Sequence, residues 1–365
     1  MNRVSKIKVI IYSILPCPYQ RDLLYALSQH EKVDLQVNYL EAACLDSPWP
    51  EKPLQNYEQI LPGFDVSWGN SRFHFNWHFP PLKDADVIVF NGYMNLTAQL
   101  ILRLQAQRVP CIFWGETMVA SHGGLKGKIQ PLLAQSLQQC RGIAGIGSHA
   151  VKDYQQRFPD KPIFNIPYYC NLSEFRREIP QRPRTPPTIL FCGQMIVRKG
   201  VDLLLQAFIH VLQKGLDARL LLVGREAELP QMLETLPETT CQKIEYAGFQ
   251  PPEDLPRFFR QADIFVLPSR YDGWGVVVNQ AVGAGLPVIC SDAVGAAKDL
   301  VEPNYNGLIF SAENVNGLTD SLAYYLQYPE EIQKASIASQ QKAEDWYTTV
   351  GAQKWVKAFE QVIKE

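Results

Sequence analysis

The sequence predicts an α/β fold with two domains, each organised around a parallel sheet. The chain has 365 residues, which is long for a single hydrophobic core. Its second half alternates short, continuous apolar runs with segments of helical period, a pattern typical of parallel strands joined by helices. A proline-rich segment near the middle of the chain separates this half from the first.

The first half begins with an apolar strand, predicted at Lys8–Ile14, and an amphipathic helix, predicted at Tyr19–Gln29. The same reasoning gives further elements before the proline-rich segment. Strands are predicted at Val33–Leu40, Asp86–Asn91, Pro110–Trp114, Gly142–Gly147 and Ile163–Ile166, and helices at Thr97–Gln107, at Leu125–Cys140 and, with Ser148 as the N-cap, up to Phe158.

Residues 41–81 are rich in proline and aromatic residues. Aromatic and polar side chains alternate in the run SRFHFNWHFPP, which predicts a strand whose buried face consists of Phe73, Phe75 and Trp77. His74 and His78 would share the opposite face, too far apart to chelate a metal ion well. We interpret this segment as a surface hairpin or an insertion.

Four prolines in the run FRREIPQRPRTPPT exclude a helix or a central strand there. We therefore predict a first domain at residues 1–178, a linker at 179–187 and a second domain at 188–345. A last helix at 346–365 has Trp355 and Phe359 on one face.

The second domain begins with a clear alternation of elements. Its helix from Val201 has leucines and a phenylalanine on one stripe, and Gly215 suits the position that follows the helix. Strands are predicted at 188–192, 219–223, 243–247 and 264–267, and helices at 201–214, 228–236 and 253–261.

The stretch Pro268–Leu300 follows the strand at 264–267. Asp272 precedes a loop in which glycines flank a tryptophan, and a short helix is predicted from Gly275, followed by a strand at Pro287–Cys290. The unpaired N–H groups at the start of a helix favour an anion, and a carboxylate accepts hydrogen bonds from hydroxyl groups. An ordinary β–α turn is the alternative interpretation.

A second motif, FCGQMIVRKGVDLLLQAF, occupies residues 191–208. A strand ends at Gly193, a short loop carries Arg198 and Lys199, and Gly200 opens a helix. Two cations beside a helix N-terminus suit a diphosphate. The alternative is an exposed Arg–Lys pair.

Together the two motifs resemble those of the family-4 retaining glycosyltransferases, the glycosyl transferases group 1 with the GT-B fold. That family has an acidic residue, seven others and a Glu, followed by an "EA-x-A-x-G-x-PV" tail. Here Asp272 occupies the acidic position, QAVGAGLPV forms the tail, and Gln280 replaces the Glu. In the other motif Lys199 matches, whereas Gln194 occupies the usual Arg position.

The resemblance implies the GT-B architecture, in which two Rossmann-like parallel-sheet domains face a cleft and the last helix crosses back to the first domain. It also implies site residues. The candidate catalytic residues are Arg198, Lys199, Asp272, Glu116 and His122. The candidate donor-binding residues are Gly193, Gly224, Phe249, Gly273, Trp274, Gly275, Val276 and Gln280. For His122, a solvated loop residue is the alternative interpretation.

The implied activity is metal-independent transfer of a sugar (EC 2.4), with retention of configuration, from a UDP-, GDP- or ADP-sugar to a hydroxyl of a glycan or lipid-linked acceptor. Surface-polysaccharide or glycolipid assembly is the usual setting, and peripheral contact with the inner face of a membrane would follow from a lipid-linked acceptor. The two glutamines leave open a catalytically impaired protein that binds sugar nucleotides or acts as a partner subunit. A nucleotide-sugar epimerase is a third alternative.

Composition sets further bounds. The chain is 46% hydrophobic and 20% charged, which is typical of a globular protein, and its net charge of −2 does not favour nucleic acid binding. Its eight cysteines are scattered without a C-x-x-C pair, which favours reduced thiols and a cytoplasmic protein. We expect no metal ion, no cofactor and no membrane-spanning segment.

Overall fold

The computed structural model describes residues 5–43, 52–68, 71–77, 85–118 and 130–364. The chain divides into two compact units. Unit 1 comprises Met1–Tyr169 and Thr348–Glu365, and unit 2 comprises Cys170–Tyr347. The proline-rich residues 179–187 therefore lie within unit 2, whereas the last helix is grouped with unit 1.

Unit 1 contains a seven-stranded parallel sheet of order β3-β2-β1-β6-β7-β8-β9. The strands are mostly continuous apolar runs because both faces of such a sheet are covered. Their bounds are β1 Ile7–Ser13, β2 Val33–Tyr39, β3 Glu58–Ile60, β6 Val87–Asn91, β7 Cys111–Gly115, β8 Gly142–Gly145 and β9 Ile163–Asn165.

The helices of unit 1 whose full range is described are α1 Pro18–Ser28, α2 Leu96–Gln105, α3 Ser148–Arg157 and α12 Thr348–Lys364. Helix α12 packs against α1. The ring of Trp355 stacks on Phe359 and meets Trp114 of β7 edge to face. These aromatic contacts join the C-terminal helix to the sheet of unit 1.

Two details of unit 1 differ from the prediction. Gly147, with φ of 88°, is the N-cap of α3, and Ser148 is the first helical residue with no capping side chain. The helix expected at Leu125–Cys140 is described only from residue 130, and its last part is a 3-10 turn at Gln135–Gln139.

The segment predicted as a surface hairpin forms one, with strands β4 Gly63–Trp68 and β5 Ser71–Asn76 pairing antiparallel. The prediction of a buried aromatic face was wrong at Trp77, and Phe75 is half-buried. Trp77 is 62% exposed, whereas Asn76 is buried and hydrogen-bonds the backbone oxygens of Leu40 and Leu61. Asn76 turns inward because the backbone carbonyls beneath it require a donor. His78 lies outside the described residues.

Unit 2 contains a six-stranded parallel sheet of order β12-β11-β10-β13-β14-β15. The strands are β10 Thr188–Cys192, β11 Arg219–Val223, β12 Ile244–Tyr246, β13 Ile264–Leu267, β14 Val288–Ser291 and β15 Gly307–Phe310. The helices are α4 Val201–Gln213, α5 Leu229–Leu233, α6 Glu238–Cys241, α7 Leu255–Gln261, α8 Val277–Gly283, α9 Ala297–Leu300, α10 Val315–Gln327 and α11 Pro329–Ala343.

The predicted α/β class with two parallel sheets is confirmed. The helix expected from Gly275 begins two positions later, at Val277. In the described part of the chain no helix combines the length and apolarity that crossing a bilayer requires. The seven cysteines within that part are free, and five of them are buried.

Candidate nucleotide-sugar site

The two sequence motifs converge at the carboxyl ends of neighbouring strands. Strand β10, which precedes Lys199, pairs with β13, which precedes Asp272. The ammonium of Lys199 donates a hydrogen bond to the carboxylate of Asp272. Their side chains are 16% and 12% exposed. Ligands of open α/β sheets bind at such strand ends, and this pair places a cation and a hydroxyl-binding group together.

Arg198 lies beside this pair, in a 3-10 turn at Val197–Lys199. Its guanidinium donates to the backbone oxygen of Tyr271 at 3.0 Å, and its own carbonyl accepts from the N–H of Arg270 at 2.9 Å. Arg198 therefore links the loops of the two motifs, and Tyr271 occupies only part of its donor capacity.

Sequence reasoning missed a second link between the motifs. Arg270 donates to both carboxylate oxygens of Asp202, each at 2.7 Å. This bidentate geometry favours a strong, directional pair. An acid in the first turn of α4 and an arginine three positions after the end of β13 were the available signals, but nothing in the sequence places them opposite each other. The pair fixes the position of α4 relative to the Asp272 loop.

Two glycines allow the close approach of these loops. Gly200 has φ of 72°, and a Cβ there would lie 2.0 Å from the carbonyl oxygen of Pro268. Gly224 has φ of 140°, and its Cβ would lie 1.8 Å from the carbonyl oxygen of Gly193. Any side chain at these positions would meet backbone atoms, so the site geometry requires glycine.

The loop after Asp272 is held by the segment that follows β14. Asp272 donates from its N–H to Ala293 and accepts from Gly295 at its carbonyl oxygen, at 3.1 and 3.0 Å. The Trp274 indole is buried, and its Nε1 donates to Asn279 at 2.8 Å. Trp274 is therefore a core side chain. Residues 273–276 can offer a ligand mainly backbone groups.

Gln280 lies one turn into α8. Its Oε1 is buried and accepts no hydrogen bond from the described residues. A buried acceptor without a donor is unfavourable by about 1–3 kcal/mol. A ligand hydroxyl would remove this cost by donating to Oε1.

Gly224 and Phe249 follow the neighbouring strands β11 and β12. The backbone oxygen of Gly224 accepts from the hydroxyl of Tyr246, and its N–H donates to Gly248, both at 2.9 Å. Phe249 is an exposed aromatic residue next to Gly248. An exposed ring at a strand end can stack on a nucleotide base.

Two buried thiols lie near the Lys199–Asp272 pair. Burial raises the pKa of Cys192 to about 12, although the nearby Lys199 charge lowers it. Burial and the Asp272 charge both raise the pKa of Cys290. Both groups therefore stay protonated near neutral pH and add no charge to the site.

The remaining candidates belong to unit 1. Glu116 follows β7, and its backbone oxygen accepts from the hydroxyl of Tyr154 at 2.6 Å. His122 lies outside the described residues. Unit 1 also contains a cavity of about 750 Å³ near the carboxyl ends of β1, β2 and β3, with Arg21, Tyr25 and Tyr57 in its lining.

Three potential metal ligands lie together in unit 1. The ligand atoms of Glu41, Asp65 and His74 are all within 4.8 Å of one another, and His74 Nδ1 is 2.8 Å from Asp65 Oδ1. These residues join the hairpin to the end of β2. They are far along the sequence from both motifs, and the expectation of no metal ion remains a prediction.

The comparison with protein families covers most of unit 2. Residues 173–342 match the family model "Glycosyl transferases group 1". Unit 2 is thus similar to the glycosyl transferases group 1, over a match that covers less than half of the chain. This match supports the resemblance drawn from the two motifs, both of which lie inside it.

Curated relatives of this glycosyltransferase-like chain align over part of their length. A GDP-mannose-dependent monoacylated α-(1-6)-phosphatidylinositol monomannoside mannosyltransferase of Corynebacterium glutamicum is 26% identical over 216 residues, which cover 54% of this chain and 55% of that protein. An uncharacterised glycosyltransferase of Methanocaldococcus jannaschii is 30% identical over 142 residues, 37% of this chain and 34% of that protein. The chain therefore spans about a third to a half of these relatives.

Two solved structures match nearly the whole chain. Sucrose-phosphate synthase from Thermosynechococcus elongatus aligns with a TM-score of 0.74 and 16% identity over 98% of this chain and 100% of that one. Anabaena HepE, solved in complex with UDP, aligns with a TM-score of 0.71 and 13% identity over the same shares. At these identities the similarity concerns the fold, which is that of GT-B glycosyltransferases.

Proposed function

We propose that this protein is a retaining glycosyltransferase that moves a sugar from a nucleotide-diphosphate sugar to a hydroxyl acceptor. The observation that carries the proposal is the Lys199–Asp272 pair, formed by two motifs at neighbouring strand ends. A diphosphate is bound by cations, and the hydroxyls of a sugar are bound by hydrogen-bond acceptors. Lys199 supplies the cation and Asp272 the acceptor, and the two groups are in direct contact.

In the proposed complex, Lys199 and Arg198 bind the diphosphate. An ammonium has three donors, so Lys199 can hold a phosphate oxygen and Asp272 together. Asp272 accepts from a sugar hydroxyl, Gln280 Oε1 accepts from a ribose hydroxyl, and Phe249 lies against the base. These assignments use the buried acceptor of Gln280 and the exposed ring of Phe249.

The proposed step breaks the bond between the anomeric carbon and the diphosphate oxygen. The acceptor oxygen bonds to the same face of that carbon, and its proton passes to the departing oxygen. Lys199 and Arg198 stabilise the negative charge that grows on the leaving group, so the step requires no metal ion. Acceptor binding is proposed for unit 1, at its 750 Å³ cavity and near Glu116 and His122.

The donor class remains open among UDP-, GDP- and ADP-sugars. A mannosyltransferase relative is GDP-mannose-dependent by name, and a solved GT-B structure holds UDP. A glycan or glycolipid acceptor is proposed because the named mannosyltransferase acts on a phosphatidylinositol mannoside.

Transfer can be tested with simple acceptors. The protein is incubated in EDTA with each nucleotide sugar and an octyl glycoside, and nucleoside diphosphate release and the anomeric configuration of the product are measured. Product of unchanged configuration, absent with Lys199→Met, supports the proposal. Nucleotide binding without turnover for any donor favours a sugar-nucleotide-binding protein. A changed nucleotide sugar formed without acceptor indicates an epimerase.

A further inference from the structure

The Val197–Lys199 turn has little within its own sequence to hold it in place. It is three residues long, which is too short for a helix that is stable by itself, and Gly200 ends it with φ of 72°. Yet it carries Arg198 and Lys199, the two cations assigned to the diphosphate. The position of both cations therefore depends on contacts that reach the turn from other parts of unit 2.

Arg270 contacts this turn with its backbone and with its side chain. Its N–H donates to the carbonyl oxygen of Arg198 at 2.9 Å, and its guanidinium donates to the carbonyl oxygen of Val197. The same guanidinium bonds both carboxylate oxygens of Asp202, in the first turn of α4, at 2.7 Å. A single residue, two positions before Asp272, thus joins the turn to the helix that follows it.

Glu228 holds the turn from another side. Its Oε2 accepts from the N–H of Val197 at 2.8 Å. Both backbone polar groups of Val197 are therefore bonded to side chains from distant parts of the sequence. Because such groups satisfy the backbone only in one arrangement, they select a single position for the turn.

The charge of Arg270 is directed at protein carboxylates. Asp202 accepts two of its hydrogen bonds, and Glu313 Oε1 lies 3.8 Å from its Nε. The side chains of Arg270 and Asp202 are only 23% and 25% exposed. With most of its donors occupied, Arg270 has little to offer a phosphate directly. Without Arg270, however, the Asp202 carboxylate would lose its bidentate partner three positions after Lys199.

We propose that Arg270 is a positioning residue for the donor diphosphate, and that it acts through the Val197–Lys199 turn and Asp202. It holds the backbone that presents Arg198 and Lys199, and it neutralises the carboxylate that follows them. This inference rests on the proposed function. Cations held in place bind two phosphate groups without a further entropic cost of ordering the turn, so Arg270 should matter more for a diphosphate than for a monophosphate.

The test compares a nucleoside diphosphate with its monophosphate. Calorimetric titration in EDTA first finds which of UDP, GDP and ADP binds the wild type, and then measures the Kd of that diphosphate and of the matching monophosphate. We expect Arg270→Gln to raise the Kd of the diphosphate by about tenfold or more, and that of the monophosphate by less than about threefold. A general weakening of the fold would affect both ligands alike.

The matched control is Arg184→Gln. Arg184 also bonds an aspartate and backbone oxygens, since its Nη1 is 3.1 Å from Asp263 Oδ1 and its Nη2 donates to the carbonyl oxygen of Arg260 at 2.9 Å. Asp263 directly precedes β13, whereas Arg270 lies three positions past the other end of this strand. Arg184→Gln should therefore lower the free energy of unfolding, measured by urea titration, without changing either Kd.

A second variant separates position from charge. Arg270→Lys keeps the positive charge but lacks the planar fork that bonds two carboxylate oxygens in parallel. We expect it to raise the Kd of the diphosphate by at least about threefold. If Arg270→Gln does not fold, the measurement on Arg270→Lys decides alone.

Two results overturn the positioning role while leaving the proposed function intact. The first is wild-type affinity for the diphosphate in Arg270→Gln or in Arg270→Lys. The second is equal weakening for the diphosphate and the monophosphate. Failure of the wild type to bind any of the three diphosphates contradicts the proposed function itself, and this inference with it.

Discussion

Lys199 donates a hydrogen bond to Asp272 across 73 residues of sequence, and both side chains are mostly buried. The pair joins a cation that suits a diphosphate to a carboxylate that suits a sugar hydroxyl. In the absence of a ligand each group neutralises the other, which stabilises the loops of both motifs. A bound phosphate would therefore share Lys199 with Asp272.

Removing the ammonium should weaken binding of nucleoside diphosphates. We expect Lys199→Met to raise the Kd by about 10- to 100-fold, because a hydrogen bond to a charged group contributes about 1.5–3 kcal/mol. The matched control is Lys243→Met, which removes a more exposed lysine that pairs with Asp217. Calorimetric titration measures both. An unchanged Kd for Lys199→Met would exclude this lysine from phosphate binding.

Gly200→Ala should unfold more easily. Its Cβ would lie 2.0 Å from the carbonyl oxygen of Pro268 at a φ of 72°, and we expect a loss of more than about 3 kcal/mol in the free energy of unfolding. Gly215→Ala is the control for backbone strain without a steric clash, because Gly215 has φ of 78° and nothing lies within 4 Å of its Cβ. That variant should lose only about 1–2 kcal/mol. Urea titration compares them, and equal losses would contradict the close approach of the two loops.

Gln280→Glu should tighten nucleotide binding. The Oε1 of Gln280 is a buried acceptor without a donor, and a carboxylate accepts a ribose hydroxyl more strongly than an amide does. We expect Gln280→Glu to lower the Kd for the nucleotide about fivefold. Gln280→Leu should raise this Kd. Titration with the nucleoside monophosphate and with its 2′,3′-dideoxy form checks whether the ribose is involved. If Gln280→Glu lowers the Kd equally for the ribose form and the dideoxy form, Gln280 does not contact the ribose.

Stability should fall in alkaline solution. Burial raises the pKa of Cys290 and raises that of Cys192 to about 12, above the ordinary value of 9.0. The unfolded chain therefore releases these protons first, so the free energy of unfolding is unaffected below pH 9 and decreases as pH rises above it. Each thiol contributes a slope of up to about 1.4 kcal/mol per pH unit.

Urea titrations between pH 8 and pH 10 measure this slope. Cys290→Ala should lower stability at every pH, because it leaves a small cavity, but should reduce the slope above pH 9. Cys241→Ala is the control, since Cys241 is only partly buried. An identical slope in Cys290→Ala and the wild type would show that the Cys290 thiol titrates normally in the folded protein.

The sequence predicted unit 2 well because its strands are continuous apolar runs and its helices carry clear stripes. Lys199 and Asp272, which pair at the candidate site, were identified from local pattern and resemblance. Their contact follows from the pairing of β10 with β13. The alternation of strands and helices predicts a parallel sheet but does not say which strands are neighbours. The Arg270–Asp202 pair was missed because neither residue belongs to a recognisable spacing.

The hairpin shows the limit of periodicity. Alternation between aromatic and polar residues correctly indicated a two-faced strand, but it does not state which face is buried. Burial of the aromatic face was the default expectation, and the carbonyls of Leu40 and Leu61, which accept from Asn76, reversed it. The hairpin sequence alone does not show that backbone carbonyls of a neighbouring loop lack hydrogen-bond donors.

The central claim is that Lys199 binds the diphosphate and Asp272 binds the sugar. Calorimetric titration of Asp272→Ala, in EDTA, with the preferred nucleotide sugar and with its nucleoside diphosphate separates the two roles. We predict that the substitution weakens binding of the nucleotide sugar by about tenfold, while the nucleoside diphosphate binds equally well or more tightly because Lys199 is released. Equal weakening for both ligands, or no binding of any nucleotide by the wild type, would contradict the account.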